Sequence, residues 1–329
     1  MRSTERRTRD SRKELLLTMD KQQIINWLLE GDVAIQYQVH RDLLAPEKSF
    51  LQDRISSEGW GAKFLGFRKE DGHWGRGFYQ PKWISSHYTI LDLKNLGISP
   101  EEPQLKESIL IILRDHKATD GGIDPSVTIN QSDVCINGMF LNYASYFKVE
   151  GEALQSIVDN TIDQHMHDGG FNCQANRQGA VHSSLHSTIS VLEGIQEYAA
   201  NGYVYRLAEL KQIAVEAHEF MLQHRLFRSD HTGEIIDKRM LMLSYPSRWR
   251  YDILRALDYF QLAGVDYDSR MENALDVLWK KRRKDNRWPV QAKHPGQTHF
   301  EMEKTGSPSR WNTLRALRAL KHFGLSEFI

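Results

Sequence analysis

The chain has 329 residues with 43 basic and 43 acidic side chains, so its formal net charge is +0. This balance argues against a nucleic-acid binder, which normally carries a strong basic excess. A content of 40% hydrophobic and 26% charged residues is typical of a globular protein. Two cysteines exclude a disulfide scaffold and favour a reducing compartment, and no apolar run approaches the ~20 residues of a membrane span.

The chain opens on a polar, mostly basic stretch, and we predict residues 1–13 to be a disordered lead. No basic segment followed by an apolar one marks a secretory signal, so we expect a cytoplasmic protein. From about Glu14 onward a helical pattern runs almost throughout, and it predicts one domain over residues 14–329.

The predicted helices fall into two alternating sets. Segment 25–44 is broken at Gly31 and Asp32, which predicts two helices with a tight joint. The first set is amphipathic, and its members are 105–116, 153–166, 205–224 and 270–284. The second set is richer in aromatic and small residues, and its members are 83–98, 133–149, 185–198, 248–264 and 310–325. No alternating strand pattern is longer than about five residues.

Polar turns containing Asp-Gly or a variant precede the helices of the second set. Their aspartates are Asp71, Asp120, Asp168, Asp230 and Asp285. A repeat of ~50 residues made of two helices cannot bury its own faces and must stack on its neighbours. The long loops after the turns favour a closed ring over an open solenoid. We therefore predict an all-α fold, an α/α toroid of about six helical hairpins around a central cavity.

The turns at 71–74 (Asp-Gly-His-Trp) and 168–171 (Asp-Gly-Gly-Phe), with the helices that follow them, resemble the repeats of squalene and oxidosqualene cyclases and of protein prenyltransferase β subunits. The resemblance covers about residues 25–325 and implies the toroid fold. It also implies a prenyltransferase- or terpene-cyclase-like protein that acts on an isoprenoid or other apolar substrate in an aromatic-lined cavity. The acidic Asp-x-Asp-Asp motif of the cyclases is missing, and the length allows one toroid rather than two.

The resemblance to prenyltransferase β subunits also implies a zinc site and a separate α subunit as partner. Their Asp-x-Cys step has a counterpart in Asp133 and Cys135, and a later helix opens with His186. These three side chains match the ligand count of a catalytic zinc ion with one open position. The alternative is that Cys135 is a small buried side chain and that His186 caps a helix.

Two loops concentrate the residues that could carry chemistry. In the first, His182 and His186 are four residues apart, and with Asp133 and Tyr251 they are the candidate catalytic groups. Around the second loop, Arg248 and Arg310 occupy the same position in two repeats and could bind an anion together. The candidate substrate-binding residues are Trp83, His87, Arg248, Trp249, Arg310 and Trp311.

Two other classes of function remain open at this point. One is a carbohydrate-active toroid, a hydrolase or lyase in which tryptophans stack on sugar rings. The other is a non-catalytic toroid that serves as a binding or scaffold protein. A deep apolar cavity would favour isoprenoid chemistry, a carboxylate-lined groove would favour sugars, and a ring filled by its own side chains would favour a scaffold.

Overall fold

The computed structural model describes residues 21–126 and 131–325, and the lead predicted at 1–13 lies outside these residues. Within the described residues the only β-type contacts are four isolated bridges, and all longer regular elements are helices. The all-α fold is therefore confirmed. In these same stretches no helix has both the length and the apolar character needed to cross a membrane.

Twelve helices alternate between an outer and an inner position. The outer helices are α1 (21–29), α4 (Gly59–Gly66), α6 (Pro103–Asp115), α8 (Gly151–Asp163), α11 (Leu207–Gln223) and α13 (Glu272–Lys280). The inner helices are α2 (Val33–Asp42), α5 (Ser86–Leu96), α7 (Val134–Tyr146), α10 (Leu185–Ala200), α12 (Ile253–Leu262) and α14 (Arg310–His322). Two short helices, α3 (Phe50–Arg54) and α9 (Ala175–Gln178), lie in connections. Burial separates the two classes, since α7 buries 11 of its 13 residues and α6 only 4 of 13.

The inner helices form a closed circuit. Helix α5 packs on α7, α7 on α10, α10 on α12, α12 on α14, and α14 on α2. The circuit is completed where Gln38 on α2 donates hydrogen bonds to the carbonyl oxygens of Asn95 (2.9 Å) and Leu96 (3.1 Å) on α5. The chain thus contains six outer–inner hairpins arranged around one axis.

Each of four turns is fastened to the inner helix that follows it. A residue just after the turn donates its backbone N–H to a polar side chain among the first four residues of that helix. The pairs are Trp74 with Ser86 (3.0 Å), Ile123 with Asn137 (2.9 Å), Phe171 with Thr188 (3.0 Å) and Trp288 with Thr313 (3.0 Å). This repeated clasp fixes where each inner helix begins relative to its turn.

Two glycines, Gly138 on α7 and Gly194 on α10, allow these helices to pack closely against each other. A Cβ atom on Gly138 would lie 2.6 Å from the carbonyl oxygen of Ser190, and one on Gly194 would lie 2.4 Å from the carbonyl oxygen of Gly138. Because these contacts are with backbone atoms, a side chain at either position would push the two helices apart.

The start of α12 differs from the prediction. The sequence predicts a helix from residue 248, but α12 begins at Ile253, where the Asp252 carboxylate caps it by accepting from the Arg255 N–H at 2.9 Å. Arg248 lies outside the helix in the left-handed backbone region, with φ of +55°. Tyr251 and Asp252 therefore belong to the connection that leads into α12 and not to its first turn.

The clasp predicts a specific loss of stability. Replacing buried Thr188 by valine leaves the Phe171 N–H without an acceptor in the described chain, and we expect a loss of about 1–3 kcal/mol in unfolding free energy. Urea denaturation measures this loss. The control is Thr161→Val, because the hydroxyl of this equally buried threonine only donates to the Ile157 carbonyl within α8. Equal losses in the two variants would contradict the clasp.

Candidate functional site

The inner helices all run in the same direction along the ring axis. One cavity, of about 270 Å³, is lined by the segments that precede α5, α12 and α14. Another, of about 210 Å³, is lined by the last turns of α2, α5 and α7. We call the end of the ring with the helix amino termini the mouth and the opposite end the far end. Because helix amino termini carry partial positive charge, the mouth favours anions.

Six rings form part of the walls of the cavity of about 270 Å³ at the mouth, here called the aromatic cavity. They are Phe64, Trp83, Tyr245, His294, His299 and Phe300. Burial lowers the pKa values of both His294 and His299 to about 4, so both imidazoles are neutral at pH 7. One side of the cavity is therefore aromatic and uncharged, and the rest of its lining includes the charged side chains of Arg248, Lys293, Glu301 and Glu303.

A loop over residues 291–303, here called the mouth loop, covers one side of the aromatic cavity. It is fastened to Trp83, whose indole Nε1 donates to the carbonyl oxygen of Pro295 at 2.6 Å. Gly296 has φ of +135°, and a Cβ atom there would lie 2.4 Å from the Trp83 ring. Sequence reasoning missed this loop, although its imidazoles and its glycine were visible signals.

A second cavity of about 350 Å³, here called the basic pocket, lies beside the aromatic cavity and shares Lys293 and His294 with it. Its polar lining residues include His186, Asp237, Arg239, Arg250 and Lys293. Asp237 forms an ion pair with Arg239, whose Nη2 lies 2.6 Å from Asp237 Oδ2, and Lys293 forms an ion pair with Glu301. The buried Arg250 Nε donates to no acceptor within the described chain.

The predicted catalytic residues His186 and Tyr251 both line the basic pocket. The Tyr251 backbone N–H donates to His186 Nδ1 at 2.8 Å. Burial, together with Arg255 and Arg250, lowers the pKa of His186 to about 4, so the ring is neutral. A neutral imidazole that accepts at Nδ1 carries its proton on Nε2, which makes His186 Nε2 a donor. The Tyr251 hydroxyl donates its proton to the Leu226 carbonyl, which is a structural contact.

Arg248 and Asp92 form a buried pair behind the aromatic cavity. The Arg248 Nε atom lies 3.9 Å from Asp92 Oδ2, beyond hydrogen-bond distance, and the guanidinium stacks 4.7 Å from the Trp83 ring. Neither Asp92 oxygen has a hydrogen-bond partner among the described residues. Burial raises the pKa of Asp92 to about 6, although Arg248 opposes this shift. Sequence reasoning missed Asp92, because it lies inside a helix without a motif.

The other predicted aromatic residues have separate surroundings. Trp311 stacks on Tyr245 with ring centroids 5.0 Å apart and lines a small cavity of about 100 Å³ on the ring axis. Trp249 lies 5.4 Å from the His186 ring and 5.1 Å from the Lys82 ammonium. His87 is fully buried against Tyr143 and lines none of these cavities.

Two predicted pairings do not occur. His182 is exposed and precedes α10, which begins at Leu185, so it shares no helix face with His186. Arg310 points to the outer helix α1, where its Nε donates to the Trp27 carbonyl at 2.9 Å. It therefore does not join Arg248 as a second anion ligand. The two arginines differ in backbone conformation, because Arg310 is the first residue of helix α14 and Arg248 has a left-handed backbone.

The zinc prediction is not supported. No group of three His, Cys, Asp or Glu side chains among the described residues could hold a metal ion. A hydrogen bond with Cys173, followed by burial, raises the pKa of the Cys135 thiol, which opposes the thiolate that zinc requires. His186 is engaged with Tyr251, and Asp133 occupies the cap position of α7.

No family model and no curated protein matches the chain. Solved structures of the type II terpene cyclase MstE from Scytonema are similar to it. An alanine variant bound to geranylgeranyl dihydroxybenzoate aligns over 95% of this chain and 98% of its own at 12% identity, with a TM-score of 0.47. A second alanine variant, bound to merosterolic acid A, aligns over 82% of this chain and 95% of its own at 12% identity, with a TM-score of 0.34. The apo protein aligns over 82% of this chain and 96% of its own at 12% identity, with a TM-score of 0.35. The likeness concerns the fold alone.

The buried carboxyl of Asp92 predicts a pH-dependent stability. An unfolded aspartate ionises near pH 4, whereas Asp92 in the folded chain keeps its proton up to about pH 6. Between these values the native state keeps the Asp92 proton that the unfolded chain loses, so the contribution of Asp92 to stability falls as the pH rises, by at most about 3 kcal/mol. The buried histidines with lowered pKa contribute with the opposite sign, equally in wild type and variant. In Asp92→Asn this fall should be absent.

Urea denaturation at about pH 4 and about pH 7 measures the difference. The exposed Asp53 supplies the control variant, Asp53→Asn, which should keep the wild-type profile. A profile of Asp92→Asn that matches the wild type would show that Asp92 is ionised in the folded chain.

Proposed function

We propose that this protein binds an isoprenoid-type molecule with an anionic head group at the mouth of the ring and acts on it as a transferase or cyclase. The observation that carries this proposal is the junction of two unlike cavities. The basic pocket and the aromatic cavity are adjacent, since Lys293 and His294 line both, and the proposal places one amphiphilic molecule across the two.

The basic pocket suits the head group. Arg250 Nε and His186 Nε2 are hydrogen-bond donors, and the one carboxylate in the lining, Asp237, already accepts from Arg239. Helix α10 begins beside His186, so its amino terminus adds partial positive charge, whereas that of α12 is already capped by the Asp252 carboxylate. A phosphate or diphosphate group fits this combination of donors and charge.

The aromatic cavity suits the hydrocarbon part. Trp83, Tyr245 and Phe300 line it and offer apolar ring surface to a hydrocarbon chain, while the Arg248 guanidinium stacks on Trp83 and Trp311 stacks on Tyr245. The mouth loop shields this region from solvent, because it is held against Trp83.

A non-catalytic binding protein is the second candidate, and the ring axis favours it. Arg318 forms two hydrogen bonds with Asp258, Arg255 forms two with Glu193, and these ion pairs fill the axis below the aromatic cavity. A substrate therefore has room at the mouth but little room along the axis. Binding without turnover would distinguish this candidate from an enzyme.

Farnesyl diphosphate is the probe for the proposal, with farnesol and inorganic diphosphate as its two fragments. We expect farnesyl diphosphate to bind the wild-type protein at least about tenfold more tightly than either fragment, because only the whole molecule reaches both cavities. Isothermal titration calorimetry measures the three affinities. Equal affinity for farnesol and farnesyl diphosphate would contradict a head-group site.

Variants distinguish binding at the head-group site from non-specific binding of the hydrocarbon chain. Arg250→Met should weaken farnesyl diphosphate about tenfold or more and leave farnesol unchanged, since it removes a charge-assisted donor. Arg114→Met is the control, because this exposed arginine on α6 pairs with Asp115 and lies outside both cavities. Equal affinities of the two variants for farnesyl diphosphate would count against the basic pocket.

A further inference from the structure

The far end of the ring contains a chamber of about 210 Å³ that is distinct from the mouth. Its outer lining residues Arg41 and Leu262 are exposed or nearly so, so the chamber opens to solvent at the carboxyl ends of the inner helices. Toward the mouth lies the small axial cavity, and the ion pairs of Arg255 with Glu193 and of Arg315 with Asp258 line both cavities.

The walls of the chamber are polarised by the order of helices in the ring. Helices α14 and α2 are neighbours and contribute Arg315, Arg318 and Arg41. Across the axis, three positions further around the six-membered ring, α7 and α10 contribute Asn142, Glu193 and Glu197. The first wall thus carries three arginines beside Asp42. The opposite wall carries one amide and two glutamates, of which Glu193 is paired with Arg255 and Glu197 with Lys94.

The formal charges in the lining nearly balance. The basic groups are Arg41, Lys94, Arg255, Arg315 and Arg318, and the acidic groups are Asp42, Glu193, Glu197 and Asp258. The carboxyl ends of the inner helices add partial negative charge, which offsets the single basic excess. The chamber therefore has no strong preference for a ligand of either net charge.

Two residues that line the chamber from opposite walls each carry a buried polar atom with no partner in the described parts of the chain. Arg315 Nη1 on α14 is a donor of a side chain that is 6% exposed, and Asn142 Oδ1 on α7 is an acceptor of one that is 3% exposed. An unmade hydrogen bond at a buried site costs free energy. A ligand that accepts a hydrogen bond from Arg315 Nη1 at one end and donates one to Asn142 Oδ1 at the other would satisfy both atoms.

We propose that the far chamber binds a small zwitterion, an ammonium carboxylate whose two charged groups are separated by a short chain, as in an ω-amino acid. Its carboxylate accepts from Arg315 Nη1, and its ammonium group donates to Asn142 Oδ1 near Glu197 and Glu193. A volume of about 210 Å³ corresponds to about seven water molecules at ~30 Å³ each, which is room for a molecule of this size. This site does not depend on the function proposed for the mouth.

Three compounds of equal chain length test the proposal. They are 5-aminovalerate, valerate and pentylamine, which carry both charges, only the negative charge and only the positive charge. Calorimetry of the full chain should show saturable binding of 5-aminovalerate with a Kd of about 1 mM or below and at least tenfold weaker binding of the other two. Absence of binding, or equal binding of valerate or pentylamine, would overturn the zwitterion site.

Asn142→Leu tests the acceptor without removing a known protein contact. A merely structural Asn142 would leave 5-aminovalerate binding unchanged, whereas the proposal predicts a loss of about tenfold or more. Arg315→Met is the second variant, and its partner Asp258 keeps Arg318. Arg250→Met at the mouth is the control. It should bind 5-aminovalerate like the wild type, so that failure of one site is distinguishable from failure of the other.

Discussion

The clasp between each turn and the helix that follows it is the interaction on which the rest of this structure depends. A backbone N–H beside the turn donates to a side chain, Ser86, Asn137, Thr188 or Thr313, and this fixes where the inner helix begins relative to its turn in four repeats. Because the inner helices then run in the same direction, their amino termini meet at the mouth and their carboxyl termini at the far end. The ring thereby acquires two chemically different ends from one repeated contact.

The interior of the ring is not one apolar cavity. Aromatic rings surround the mouth, whereas ion pairs such as Arg318 with Asp258 fill the axis below it. Buried ion pairs of this kind stabilise a fold weakly but specify one arrangement, because breaking either partner leaves a charge without compensation. They confine a hydrocarbon ligand to the mouth and leave a polar chamber at the far end. The isoprenoid interpretation therefore applies to one end of the ring only.

The sequence allowed the fold to be predicted more fully than the site. Helix periodicity and the repeated turns are local signals, and they predicted the alternation of outer and inner helices. They failed at α12, because Pro246 to Trp249 repeats the pattern of Pro308 to Trp311 while Arg248 adopts a left-handed backbone. The site depends on contacts between distant segments, such as Trp83 with Pro295. Asp92 carries no motif at all, and only its burial beside Arg248 distinguishes it.

The central claim is that one amphiphilic molecule occupies both cavities at the mouth. A crystal structure of the protein with bound farnesyl diphosphate tests it most directly. The account predicts that the phosphate oxygens lie within hydrogen-bond distance of Arg250 and His186 Nε2, with the prenyl chain against Trp83 and Phe300. A diphosphate group in the far chamber, or a prenyl chain outside the aromatic cavity with Arg250 unoccupied, would contradict it.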